Sequence, residues 1–163
     1  MIICIILFGI SVYNIFVKNV FSDTVTVNDS MQKPDIANIA SDNYTNILKE
    51  VHDNLNTYIG QKISFSGYIY RVDDIKQTEF ILARNMIINS NNQSVVVGFL
   101  CSYNDASKYK DGTWVNIIGT ISKGDYHGEI PILQIENISE IEKPENEYVY
   151  PPDDYYVPTA VIY

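Results

Sequence analysis

The residues able to do chemistry are few and scattered. Two histidines, His52 and His127, and two cysteines, Cys4 and Cys101, lie far apart in a chain of 163 residues. None has the spacing of a metal-ligand set. Cys4 sits in an apolar run and Cys101 closes a strand-like one, so the two are not expected to pair. Asp73-Asp74 resembles an acid–base pair, but it falls in a polar stretch between strands, where Asp is favoured for turn geometry. Asp125, His127 and Glu129 alternate along a hairpin that would turn them to solvent, and one His makes a poor metal site. The chain has no G-x-S-x-G nucleophile motif and no phosphate-binding glycine loop. No catalytic site, metal or cofactor is expected.

Binding is the better prospect. Arg84 interrupts an apolar run, Phe80 to Ile88, and needs either a face to solvent or a paired carboxylate; solvent is the expectation. The following Asn89-Ser90-Asn91-Asn92-Gln93 stretch is a polar loop with amides to offer a ligand. Tyr68 and Trp114 together suggest an aromatic platform, of the kind on which single-stranded nucleic acids stack. Charge argues against that use. The formal net charge is −9, and the segment holding these residues, 60–143, carries eight Lys/Arg against ten acids. A nucleic-acid binder needs a basic footprint, and none is present.

The elements that must position these residues follow from periodicity. Residues 1–17 carry no charged side chain, and at ~1.5 Å per residue they span about 25 Å. That is the lower limit for a membrane-spanning helix. A retained anchor over residues 1–21 is the leading reading, with a cleaved signal peptide or a buried core helix as alternatives. Lys18 follows this run and, taken alone, would draw the domain to the cytoplasmic side. Residues 22–41 read as a polar linker. Tyr44, Ile47, Leu48, Val51 and Leu55 then recur at helical spacing, predicting an amphipathic helix over 42–57, capped by Ser41 or Asp42 and stopped at Gly60. His52 would be an exposed residue of that helix.

From Lys62 the period becomes two. Ile63, Phe65, Gly67 and Ile69 point one way in the first strand; Val115, Ile117, Gly119 and Ile121 do so in the fourth. Strands are expected over 62–70, 79–88, 94–102, 113–122 and 129–141, with a short helix over 104–110 and a turn over 123–128. Five strands with a helix between the third and fourth is the order of an OB-like barrel; a β-sandwich is the alternative. Gly67 and Gly119 fall in the inward phase, where a closing barrel bends and a side chain would crowd the core. The fold class is therefore mainly β, with the helix and barrel over residues 42–143. A Pro/Tyr-rich acidic tail, 144–163, is expected to be a partly ordered terminus; its five tyrosines could instead dock on the barrel or a partner.

A family resemblance rests on residues read in order. The stretch from Tyr58 through Gly60, Gly67 and Tyr68 to Arg71, then Phe80-Ile81-Leu82-Ala83-Arg84, then Val97-Gly98-Phe99-Leu100, resembles one domain. Asp111-Gly112-Thr113-Trp114-Val115, Gly119-Thr120 and Pro144 to Pro151 continue it. It is similar to the C-terminal domain, of unassigned function, of YcgQ-like bacterial membrane proteins described as permease subunits. The resemblance implies a membrane protein working beside a multi-spanning permease, with its soluble domain outside the cytoplasmic membrane. It also implies a Cys-Cys or His-Cys pair where this chain has Asn89 and Ser90, a departure that argues against metal handling. Candidate ligand- or partner-binding residues are Tyr68, Arg71, Arg84, Asn89, Ser90 and Trp114. Three functions compete: a non-enzymatic accessory subunit, a small-ligand or metal-binding envelope domain, and a single-strand-binding OB-fold. The missing thiols disfavour the second, and charge and anchor the third.

Overall fold

The structure, a computed structural model, describes residues 41–88 and 93–154. The expected anchor, the linker up to residue 40, and Asn89 and Ser90 lie outside the described residues. Among the described residues no helix is long and apolar enough to cross a membrane.

Five strands form a closed barrel with a helix before it. They are β1 (Lys62–Tyr70), β2 (Glu79–Ile87), β3 (Ser94–Ser102), β4 (Trp114–Asp125) and β5 (Glu129–Glu140). The ring runs β1-β2-β3-β5-β4 and back to β1. Its pairings are antiparallel except β3–β5, where Leu100 to Ser102 lie parallel to Ile132 to Gln134. The alternation read for β1 and β4 is the observed one: Ile63, Phe65 and Ile69, and Val115, Ile117 and Ile121, are all buried in one core.

The helix differs from the expectation. It comes in two pieces, α1 (Tyr44–Asp53) and α2 (Leu55–Tyr58), after a 3-10 turn at Ser41–Asn43. Asn54 breaks it with φ −124° and ψ 37°, and neither Ser41 nor Asp42 serves as its N-cap, a position held by Asn43. The apolar stripe survives the break. Tyr44, Ile47, Leu48, Val51, Leu55 and Tyr58 are buried against the barrel, and Phe65 meets Tyr44 and Phe99 edge-on or tilted at 5.6 and 5.4 Å. His52 is half-buried rather than exposed, stacked 6.3 Å from Phe99.

Two further expectations are corrected. The helix over 104–110 shrinks to a 3-10 turn at Ala106–Lys108. The turn over 123–128 is shorter, because β4 and β5 continue to a tight hairpin at Tyr126-His127-Gly128, with His127 at φ 54°. Gly67 and Gly119 are inward, as read, and a Cβ would strike neighbouring backbone first, then the side chains of Leu82 and Ile135, each at 3.1 Å. It would lie 2.6 Å from the Ala83 carbonyl oxygen at Gly67 and 2.9 Å from that of Gln134 at Gly119, beside a bulge in β4.

Two features carry no counterpart in the sequence reading. The tail supplies a sixth strand, β6 (Tyr148–Val149), parallel to Asn85 and Met86 of β2. The barrel also has a second apolar cluster on its outer side, where Ile81, Ala83, Leu100 and Ile132 are buried beneath Val72, Ile75 and Tyr126. β2 is thus covered on both faces.

Candidate functional site

Arg84 is the centre of the arrangement; it is not exposed, and among the described residues no carboxylate pairs with it. Its parity with Phe80, Leu82 and Met86 turns it inward, and it is only 3% exposed. β1 and β2 pair only over Tyr68–Tyr70, so their ladder ends just before Gly67. Backbone N–H and C=O groups of alternate strand residues face opposite neighbours. Ile69 bonds toward β4 through Thr113 and Gly112, so the carbonyl of Ser66 faces the gap opening toward β2.

The guanidinium fills that gap. Nε donates to the Ser66 carbonyl at 2.9 Å and Nη1 to the Asn146 carbonyl at 2.9 Å. Nη2 donates to the Ser66 hydroxyl at 3.1 Å and reaches Ser41 Oγ at 3.4 Å. The cation lies 4.8 Å from the Trp114 ring centre and 5.9 Å from that of Tyr44, a placement that offsets part of its desolvation. Burial pulls the Arg84 pKa down, and the nearby Tyr44 opposes it. A rigid fork of donors suits a site where three chain segments meet. Arg84 joins β1, the tail and the approach to α1.

The tail is fixed by other bonds as well. Thr45 Oγ1 donates to the Tyr150 carbonyl at 2.6 Å, the Asp153 amide donates to Asn46 Oδ1 at 2.7 Å, and Val149 is buried. Residues 144–154 therefore dock on the barrel, the alternative reading of the tail for that part; residues 155–163 lie outside the described residues.

Tyr68 and Trp114 are register partners, their rings tilted at 5.7 Å. Both are half-buried. Trp114 stacks on Arg84, and the Tyr68 hydroxyl donates to Asn85 Oδ1 at 2.8 Å. Desolvation, with Tyr70 and Glu147 nearby, pushes the Tyr68 phenol up to about 12. The pair is thus a wall of the Arg84 site more than a free platform. Arg71 stands apart at the end of β1. It bridges to Asp111 and donates to the carbonyls of Ala106 at 2.7 Å and Tyr109 at 3.1 Å, tying down the turn before β4. Of the six candidates, Tyr68, Arg84 and Trp114 come together and Arg71 does not; Asn89 and Ser90 lie outside the described residues.

The remaining titratable groups make one contact of note. Asp74 accepts from the Tyr126 hydroxyl at 2.7 and 2.8 Å and lies 3.1 Å from His127 Nε2. These bonds hold the Asp74 carboxyl below its usual pKa. The β1–β2 loop and the β4–β5 hairpin are thereby clasped over the outer apolar cluster. Asp125 and Glu129 are exposed, and Glu129 pairs with Lys123 at 2.5 Å. No group of three metal-ligating side chains occurs among the described residues. Cys101 is buried in the core, where desolvation pushes its thiol pKa up.

Comparison with known proteins decides the family. The model of the DUF1980 C-terminal domain matches residues 18–151. The chain belongs to that family. The DUF1980 domain here is 25% identical over 115 residues to the UPF0703 protein YcgQ of Bacillus subtilis, covering 69% of this chain and 40% of the relative. It is 26% identical over 115 residues to a Streptococcus mutans protein named "Putative two-component membrane permease complex subunit", covering 69% and 42%. The chain thus spans about two fifths of the length of these curated relatives. Among solved structures, OBody NL8 bound to hen egg-white lysozyme superposes with a TM-score of 0.34 at 10% identity, over 52% of this chain and 98% of that one. The fold of the DUF1980 domain rests on the strand register given above.

Proposed function

We propose that this chain is a non-enzymatic, membrane-anchored accessory subunit of a permease complex, whose OB-like barrel is a protein-binding module. The carrying observation is family membership together with the permease-subunit name borne by the Streptococcus mutans relative. The barrel supports the same reading. Both arginines singled out for ligand contact donate to the chain's own carbonyls, which leaves aromatic and aliphatic side chains to meet a partner. The uncharged residues 1–17 supply the anchor, and the barrel lies outside the cytoplasmic membrane.

The test is purification of the full chain in mild detergent. A multi-spanning permease subunit should come with it, and residues 22–163 alone should retain less. Recovery of no membrane partner, with stoichiometric binding of a metal ion or sugar by the barrel, would replace this reading with a ligand-binding one. A reporter enzyme fused after Tyr163 checks the side: activity only in the cytoplasm refutes the orientation.

A further inference from the structure

Along the outer face of β2, Ile81 and Ala83 are buried beneath the apolar cluster, whereas Asn85 and Ile87 are only half-buried. Val149 and its register partner Met86 point into the core, so Tyr148 and Tyr150, on either side of Val149, turn outward. Tyr148 is 40% and Tyr150 63% exposed, and Ile88, just beyond the end of β2, is 47% exposed. Tyr148 lies beside Asn85, which is paired across to Val96 and accepts the Tyr68 hydroxyl. The result is a row, Tyr148, Asn85 and Val96, across β6, β2 and β3, with Tyr68 at its edge; Tyr68 and Val96 also pack on the outer apolar cluster. Tyr148 and Tyr150 are two of the five large hydrophobic side chains exposed among the described residues.

The segment that forms β6 carries one sign of charge. Residues 144–154 carry Glu145, Glu147, Asp153 and Asp154 and no base. Glu147 lies close enough to Tyr68 to raise its pKa. The nearest cations are spent: Lys143 pairs with Glu147 at 2.6 Å, and Arg84 faces inward onto the Asn146 carbonyl. We propose that this row is a docking surface for a partner segment in which Lys or Arg side chains alternate with apolar ones. Tyr side chains are favoured in the cores of such interfaces, and complementary charge selects and orients the partner. A second copy of this acidic chain, a nucleic acid or an anionic bilayer would each bring negative charge to a negative segment.

This inference deepens the accessory-subunit reading and rests on it for the partner's identity, but two arms of the test keep them apart. In the first, fluorescence anisotropy measures binding of the full chain in mild detergent to a ten-residue peptide alternating Lys and Leu, and to its Glu and Leu counterpart. The Lys/Leu peptide should bind and the Glu/Leu peptide should not. Tyr148→Ser with Tyr150→Ser should weaken binding about tenfold. Tyr148→Phe with Tyr150→Phe should keep most of it, and Glu145→Gln with Glu147→Gln should lower both affinity and salt dependence. Equal binding by the double Ser variant, or equal binding of both peptides, overturns the proposal.

The second arm compares permease recovery by the wild-type and double Ser chains. Equal recovery places the docking surface elsewhere and leaves the accessory role standing. If neither recovers a permease while peptide binding still needs the tyrosines, the surface stands and the accessory role falls.

Discussion

Replacing Arg84 with Met tests whether the guanidinium is a structural splice. Met keeps an unbranched apolar stem of similar reach, so the change removes the donor fork more than the packing. The Ser66 and Asn146 carbonyls each lose a donor at 2.9 Å, and a buried acceptor left unsatisfied costs ~1–3 kcal/mol. Loss of the Trp114 contact adds ~0.5–2 kcal/mol. Relief from burying a lone charge works the other way. The net expectation is a destabilisation of about 2–4 kcal/mol, a large share of the ~5–15 kcal/mol that holds a domain. Urea unfolding of the full chain measures it. Hydrogen exchange localises it, since β6 loses its tie to β1 and the amides of Tyr148 and Val149 should exchange much faster. Arg84→Lys, with one compact ammonium, can satisfy one carbonyl but not bridge two segments, and should fall between. An Arg84→Met chain that unfolds like the wild type, with β6 still protected, would refute the splice and return Arg84 to ligand recognition.

Gly98→Ala drives a Cβ into the Leu82 carbonyl and should cost ~1–3 kcal/mol. Gly119→Ala, whose Cβ would lie 2.9 Å from the Gln134 carbonyl oxygen, should cost less, and the reverse order of melting temperatures would contradict the packing at these crossings. Burial pushes the His52 pKa down from 6.5 to about 4, with Asp53 opposing. The unfolded chain therefore takes up that proton first, so this stability is whole above pH 6.5 and is lost as pH falls toward 4, at most ~1.4 kcal/mol per pH unit. His52→Gln should flatten that loss, and parallel pH curves would acquit His52. Tyr126→Phe removes the donor to Asp74 and should speed hydrogen exchange over residues 71–78 with little change in unfolding midpoint; unchanged exchange would mean that the apolar contacts alone hold the clasp.

Much of the barrel was legible because one-sided burial writes a period of two. β1 and β4 show it plainly, and β3 runs over the expected Ser94–Ser102. β2 does not alternate, since Phe80 and Leu82 face the core while Ile81 and Ala83 face the outer cluster. An unbroken apolar run signals cover on both faces but not what provides it. The same parity offered a signal for Arg84: counting by twos from Phe80 and Leu82 places it inside. Its acceptors could not be read, because they are main-chain carbonyls, one of them 62 residues away. β6 was hidden for a related reason, being two residues long within a Pro- and acid-rich tail.

The two loops and the tail divide the outer surface between them. An OB-fold commonly presents ligands to the face of strands 2 and 3, between the β1–β2 and β4–β5 loops. On the OB-like reading, this chain has filled the lower part of that face with its own Val72, Ile75 and Tyr126, and Asp74 ties the two loops shut. What stays more open is the row beside β6, where Tyr148 and Tyr150 are exposed within an acid-rich segment. Exposed tyrosines in an acid-rich segment suit a basic protein segment better than an anion or a polynucleotide, because complementary charge selects the partner and Tyr is enriched in interface cores. The tail thus both closes the gap between β1 and β2 and sets out the surface available to a partner. A change that detaches β6, such as Arg84→Met, should therefore weaken docking as well as loosen the barrel, whereas Tyr148→Ser with Tyr150→Ser should weaken docking about tenfold and leave the barrel intact.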